Sequence, residues 1–301
     1  MTATAADPVA VVGAGAVGST LAAGLAEAGH PVVVCGGTPL DAITLTDHRG
    51  THRYPVRWAE RPGDLPQVRW VLLATKIHQT PSVLSWLSAL AGPDSHVIAA
   101  QNGVDHRDRL SPVVDGAVAP ALVYINAERT APGTVRARFT ERELVLPDDE
   151  AGRAAASLFG DTWVRAEVVA DFRTAAWRKL LTNATANPIT ALTGRRIEVL
   201  RESVVAELAT GVLREAVAVG RAEGATLPDE CVEQTLRWLQ DLQPGSTSSM
   251  LQDRLAGRAL EYEGLTGTIV RLADRHAVPV PANRALLALL SALEPGSGRS
   301  G

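Results

Sequence analysis

An α/β N-terminal half followed by an all-helical C-terminal half is the fold class this sequence predicts, on three observations. Short apolar runs of strand type recur between helical stretches up to about residue 170. A glycine-rich segment, Gly13-Ala-Gly-Ala-Val-Gly18, follows directly on the first of those runs. Beyond Asp171 the strand signals thin out and long stretches with helical spacing take over. This shift divides the chain into a domain of residues 1–170 and a second of residues 171–301.

The elements can be justified in order. Val9-Ala-Val-Val12 is a buried-strand run, Ser19 to Ala28 reads as a helix closed by Gly29, and Pro31 to Cys35 is the next strand. That strand–helix–strand unit has the size of a parallel crossover. Trp70 to Thr75 is a further strand, and Pro81 to Leu90 is a helix with Val83, Leu84, Leu87 and Leu90 on one face. His96 to Ala100 is a strand that ends at Gln101-Asn102-Gly103. Strand-type residues continue through Ala119–Ile125, Gly133–Phe139, Leu144–Leu146 and Thr162–Val169, with Pro132-Gly133 as a turn. Helical stretches follow at Asp171–Asn187, Val204–Glu223, Pro228–Leu242, Gln252–His276 and Asn283–Leu293. Met1–Asp7 and Glu294–Gly301 read as frayed ends.

Composition narrows the function classes. The chain is 46% hydrophobic and 21% charged, which suits a globular protein rather than a disordered one. Its formal charge of −4 includes no dense basic run, so no nucleic-acid footprint is visible. Val9 to Ala26 is uncharged, but it lacks a basic start and is broken by glycines. It reads as a strand, turn and helix, not as a secretory leader or a membrane span. Cys35 and Cys231 are too few for a disulfide framework and favour a reducing, cytoplasmic setting. His48 and His52 sit in a turn-like stretch with Asp47, Arg49 and Gly50, which reads as a solvated loop rather than a metal site.

The glycine segment carries the first chemistry. A lone G-x-G-x-x-G is weak, but here it follows a strand and opens a helix, as a Rossmann-type dinucleotide fingerprint requires. Gly13 permits the tight turn, Gly15 lets backbone approach a pyrophosphate, and Gly18 lets the helix pack on the strand. Ala16 and Val17 complete the cofactor-binding loop at the helix start, where free amides favour an anion. The bland alternative is a purely structural glycine turn. NAD binders usually carry a carboxylate at the end of the second strand. Here that position reads Cys35-Gly36-Gly37-Thr38, with no acid before Asp41, which favours NADPH over NADH without excluding the latter.

The C-terminal half offers a proton donor and neutral amides. Lys179, Asn183 and Asn187 are spaced by four, on a stripe that drifts by about 40° per step. Pro188 is expected to end that helix. A solvated lysine with two surface amides is the bland reading. Glu261 shares a predicted helical face with Leu265, Thr268, Ile269 and Leu272, where a carboxylate must find a partner or shift its pKa. An inter-helix ion pair would satisfy it equally well. Ser246 to Ser249 supply hydroxyls for a ligand carboxylate or for a helix cap.

Taken together, these residues resemble the ketopantoate reductase family. The resemblance rests on the glycine loop, Thr75-Lys76, Gln101-Asn102-Gly103, Lys179-x3-Asn183-x3-Asn187-Pro188, Ser248-Ser249-Met250-x2-Asp253, Glu261 and Val280-Pro281-x-Asn283. It implies NADPH-driven reduction of 2-dehydropantoate to pantoate, a step towards pantothenate, in a cleft between domains. It also implies residue roles: Lys179 as general acid, with Glu261 tuning it and contacting substrate. Asn183, Asn187 and Ser249 would bind substrate, Asn102 would sit where nicotinamide and substrate meet, and Lys76 would contact cofactor. The family commonly has an arginine where this chain has Gly37, so Arg49 or another loop residue would have to grip a 2′-phosphate. Two alternatives stay open: a reductase of another small 2-keto acid using NADH or NADPH, and a non-catalytic NADP(H) sensor. The expected partner is a small molecule, not nucleic acid or membrane. The oligomeric state is open, a homodimer included.

Overall fold

The computed structural model describes residues 7–293, so the expectations for residues 1–6 and 294–301 lie outside the described residues. Two compact units divide between Phe172 and Arg173.

The first unit begins β1 (Val9–Val12), α1 (Ala16–Glu27), β2 (Val32–Cys35), β3 (Ala42–Asp47), β4 (Gly50–Pro55) and β5 (Arg57–Ala59). It continues with β6 (Trp70–Leu73), α2 (Leu84–Leu90), β7 (His96–Ala99), α3 (His106–Leu110), β8 (Ala117–Pro120) and β9 (Leu122–Val123). β10 (Asn126–Ala131), β11 (Thr134–Arg138), β12 (Leu144–Pro147), α4 (Glu150–Leu158) and β13 (Ala166–Val169) complete it. The central sheet runs β5-β2-β1-β6-β7-β8, every neighbouring pair parallel. Strand order reverses beside β1, since β2 lies on one side and β6 on the other. In such sheets the crevice beyond the carboxyl ends at that switch point is where ligands bind.

Burial follows the period of two. Val9 and Val11 join Leu21 and Leu25 of α1 in one core cluster. Ala10 and Val12 face the other way and join Leu87 and Leu90 of α2. Strands covered on both faces read as unbroken apolar runs, and this made β1, β2, β6 and β7 legible.

Four strands, β3, β4, β5 and β10, and two helices, α3 and α4, were not predicted. β3 and β4 pair as a hairpin whose tip holds His48 and Arg49, with the Arg49 amide donating to Asp47 Oδ1 at 2.7 Å. β5 adds to the edge of β2. α4 starts at an N-cap, Asp149, whose carboxylate accepts from the Gly152 amide at 2.9 Å. The hairpin pairs onward through β11 into a four-stranded sheet, β10-β11-β3-β4, which packs on α1. Its strands carry polar residues on the exposed side, so no continuous apolar run marked them.

The second unit contains α5 from Arg173 onward (the helix is Phe172–Thr193), α6 (Ser203–Ala222), α7 (Cys231–Asp241), α8 (Ser249–Leu255), α9 (Thr268–Arg275) and α10 (Pro281–Leu293). Two expectations are corrected here. Pro188 does not end α5, which runs on to Thr193. Residues 184–191 are all buried, and tertiary packing of that segment outweighs the hydrogen bond the proline removes. The Thr190 and Thr193 hydroxyls also donate to carbonyls four residues back, at 2.6 and 2.7 Å.

The single helix expected over Gln252–His276 is broken. α8 stops at Leu255, Gly257 takes a left-handed φ of +63°, and the Arg258 amide closes back on the Asp253 carbonyl at 2.9 Å. A π-helical turn, Glu263–Gly267, then leads into α9. Glu261 therefore lies in the connection before that turn rather than on a shared helical face.

Asn283 locks α10 onto α6. It is fully buried, and its Nδ2 donates to the Val212 carbonyl at 3.2 Å and to Glu215 Oε2 at 2.8 Å. Asn283→Ala removes both side-chain hydrogen bonds, although Glu215 Oε2 keeps the Asn283 backbone amide at 2.9 Å, and a loss of about 1–3 kcal/mol is expected. Urea denaturation should show it as a lower midpoint at unchanged slope.

Candidate active site

Three loops leave the carboxyl edge of the parallel sheet: Gly13–Gly15 after β1, Ala74–Lys76 after β6 and Gln101–Gly103 after β7. Gly13 has φ +106°, and a Cβ there would lie 2.6 Å from the Thr75 nitrogen. A Cβ on Gly18 would lie 2.0 Å from the Gly13 carbonyl oxygen and 3.0 Å from Ala74 Cβ. Side chains at either position are sterically forbidden. Gly15 is different, because nothing lies within 4 Å of where its Cβ would be.

Gly15 is also the N-cap of α1, with no side-chain cap and no acidic residue in the first turn. The amides at Ala16 and Val17 thus open on a bare cradle at the positive end of a twelve-residue helix. That donor set fits a dinucleotide diphosphate. Lys76 and Asn102 stand half-buried on the two neighbouring loops of the same edge.

The end of β2 is closed to charge. Cys35 is buried, and desolvation pushes its thiol up to about 12, so it stays neutral. Gly36 and Gly37 follow, with open space beside Gly37. Arg49, expected as a substitute phosphate grip, is engaged elsewhere. It pairs with Glu27 at 3.2 Å and with Asp47 at 2.9 Å, and stacks over Phe139 and Trp163. Asp41 pairs with Arg53 at 2.9 Å. A cavity of about 850 Å³ that includes Arg69, His96 and Ala117 opens at the amino ends of β6, β7 and β8. It belongs to the opposite edge from the glycine loop.

In the helical unit, α5 carries Lys179 and Asn183, both half-buried, and Asn187, which is 3% exposed. Asn187 Nδ2 is a buried donor with no hydrogen-bond partner among the described residues. An idle donor of that kind costs about 1–3 kcal/mol unless a ligand or water takes it. Glu261 is buried at 7% exposure and acts electrostatically on Lys179. Lys179 keeps some exposed surface as a residue, yet desolvation pulls its ammonium down to about 8, with the Glu261 carboxylate pulling the other way.

Ser249 is the first residue of α8 and is exposed; the buried serine is Ser248. Ser248 caps α8 by accepting from the Leu251 amide at 3.1 Å, and its hydroxyl meets Thr190 Oγ1 at 2.7 Å. Of the Ser246–Ser249 hydroxyls expected to serve a ligand carboxylate or a helix cap, Ser248 takes the capping role, whereas Thr190 was not among the expected site residues. Thr266, in the π-helical turn, was also passed over and has a fully buried hydroxyl without a partner among the described residues. Spacing alone singles out neither threonine.

Similarity to known proteins agrees with this geometry. Residues 9–150 match the family model described as "Ketopantoate reductase PanE/ApbA", and residues 171–294 match its C-terminal model. The chain belongs to the ketopantoate reductase family. The 2-dehydropantoate 2-reductase of Caulobacter vibrioides is 40% identical over 289 residues, covering 94% of this chain and 98% of that protein. The crystal structure of a ketopantoate reductase from Ralstonia eutropha superposes with a TM-score of 0.86 at 33% identity, covering 95% and 98% of the two chains. A ketopantoate reductase from Staphylococcus aureus, described as dimeric, superposes with a TM-score of 0.84 at 26% identity, covering 95% and 98%. As a ketopantoate reductase family member the chain is an NAD(P)H-dependent oxidoreductase with an N-terminal Rossmann-type unit and a helical C-terminal unit. No helix among the described residues is long and apolar enough to cross a membrane.

The glycine geometry separates two variants of this ketopantoate reductase family member. Gly15→Val should fold normally, since its side chain meets nothing, yet lose dinucleotide binding in a fluorescence titration. Gly18→Val should lose the fold itself through the clash with Gly13, visible as a collapsed thermal midpoint. Normal cofactor titration by Gly15→Val would refute the loop assignment.

Proposed function

We propose that this chain reduces 2-dehydropantoate to pantoate with NADPH, and that Lys179 is the general acid. The observation that carries the reading is the Lys179 ammonium, pulled to about 8 by desolvation and opposed by Glu261. A lysine in that range is protonated at neutral pH yet gives up its proton far more readily than an exposed one. A dinucleotide held at the Gly15–Val17 amides would supply the hydride. The chain's own residues do the rest. Lys179 delivers a proton from Nζ to the carbonyl oxygen, so the ketone becomes an alcohol and the lysine leaves neutral. Glu261 holds the ammonium charged against desolvation. Asn183, Asn187 and Ser249 bind the substrate's carboxylate and hydroxyl groups, and the idle Asn187 donor supports this. Asn102 orients the nicotinamide and substrate, and Lys76 contacts the cofactor.

NADPH is preferred in this reading because no carboxylate stands free at the end of β2 to hold a ribose 2′-hydroxyl or repel a 2′-phosphate. The two cysteines, both buried and free, suit a reducing cytoplasm. A homodimer is part of the reading, supported by the dimeric S. aureus relative.

The decisive experiment follows absorbance of NADPH, then NADH, on addition of 2-dehydropantoate. Oxidation that requires Lys179 is the expected result; no oxidation with bound cofactor would refute the substrate. Lys179→Ala should lower kcat by roughly 10²–10⁴-fold with cofactor affinity intact. Because the acid must carry its proton, kcat/KM should be level below about pH 8 and fall above it. Glu261→Gln removes the influence that raises the lysine, so the same descending limb should move to lower pH. A limb that stays in place would separate Glu261 from the lysine.

A further inference from the structure

We propose that Gln101 is the positioning residue of the dinucleotide edge, tying the loop that carries Asn102 to the loop that carries Lys76 and, through it, to the glycine loop. The inference rests on the dinucleotide reading above. Gln101 is 3% exposed, and both ends of its amide are used. Its Nε2 donates to the Thr75 carbonyl at 2.9 Å, with the Thr75 hydroxyl at 3.3 Å, and to the Thr80 hydroxyl at 3.0 Å. Its Oε1 accepts from both terminal nitrogens of Arg109, at 3.2 and 3.3 Å. Arg109 is itself aimed by Asp105, with Nε donating to Oδ1 at 2.9 Å. The Gln101 backbone carbonyl accepts from His106 Nε2 at 2.9 Å.

This arrangement fixes the sense of the amide. Reversed, it would set its NH₂ against the guanidinium and its oxygen against the Thr75 carbonyl, two repulsions in a buried site. The consequence passes along the edge. Thr75 precedes Lys76, and its backbone nitrogen lies where a Cβ on Gly13 would come within 2.6 Å. Gln101 precedes Asn102. One side chain therefore sets the spacing of three loops that leave β1, β6 and β7. An apolar residue of similar volume would fill the same space without setting it.

The test compares Gln101→Met and Gln101→Glu with the full wild-type chain, by NADPH fluorescence titration, thermal midpoint and the primary deuterium isotope effect on turnover. Gln101→Met should weaken NADPH binding by about tenfold, the effect of losing one well-placed hydrogen-bond group. Gln101→Glu keeps the acceptor towards Arg109 but loses the donor towards Thr75 and Thr80, and should weaken NADPH binding to a similar degree. The isotope effect should rise as hydride transfer becomes misaligned. A lowered thermal midpoint with unchanged affinity and isotope effect overturns the proposal, leaving Gln101 a packing residue. If Gln101→Met does not fold, Thr80→Val removes one acceptor and gives the same decision: unchanged affinity overturns it. Wild-type chain that binds neither NADPH nor NADH overturns the dinucleotide reading itself, whereas binding by wild type and variants alike overturns this inference alone.

Discussion

The close approach of backbone to backbone at the switch point is the constraint on which the rest of the first unit depends. α1 can start where it does only because Gly18 presents no side chain to the Gly13 carbonyl oxygen, 2.0 Å from where its Cβ would stand. Gly13 in turn lies against the Thr75 backbone. These contacts put the uncapped start of α1 beside the carboxyl ends of β1 and β6. Hydrophobic burial on both sheet faces holds the strands, but it does not choose where the helix begins. The missing Cβ atoms do, and of the three loop glycines they leave Gly15 with nothing packed against the place of its Cβ.

A different constraint organises the helical unit. A lysine is costly to desolvate, and a carboxylate more so unless something offsets it. Lys179 and Glu261 offset each other only in part, since desolvation remains the larger influence on the lysine. The remainder is a lysine lowered towards neutrality, which is a cost in folding and an asset in proton transfer. Asn187 adds to that cost with a buried donor that has no partner among the described residues. Folded proteins rarely keep such groups without use for them.

Much of the site was legible because its residues are constrained locally. Glycine triplets and i, i+4 spacing are visible in one dimension, so the loop of Gly13–Gly18 and the stripe of Lys179, Asn183 and Asn187 could be read directly. Gln101 shows the limit. It was legible as part of a strand-end motif, but its partners Thr75, Thr80 and Arg109 are 26, 21 and 8 residues away. Glu261 was singled out on a helical periodicity that the chain does not have, because Glu261 lies outside any helix and a π-helical turn, Glu263–Gly267, separates it from α9.

By itself the sequence determined the buried strands β1, β2, β6 and β7 with the helices that follow β1 and β6, the glycine loop and the place of the chemistry-bearing residues along the chain. These follow from short-range rules: the alternation of burial, the geometry of glycine and the pitch of a helix. Tertiary structure alone decided that α5 runs through Pro188, that Arg49 is spent on Glu27 and Asp47, and that Lys179 is desolvated near Glu261. Each of those outcomes weighs a local preference against packing or charge from residues distant in sequence, and only the folded chain brings the two sides of that balance together.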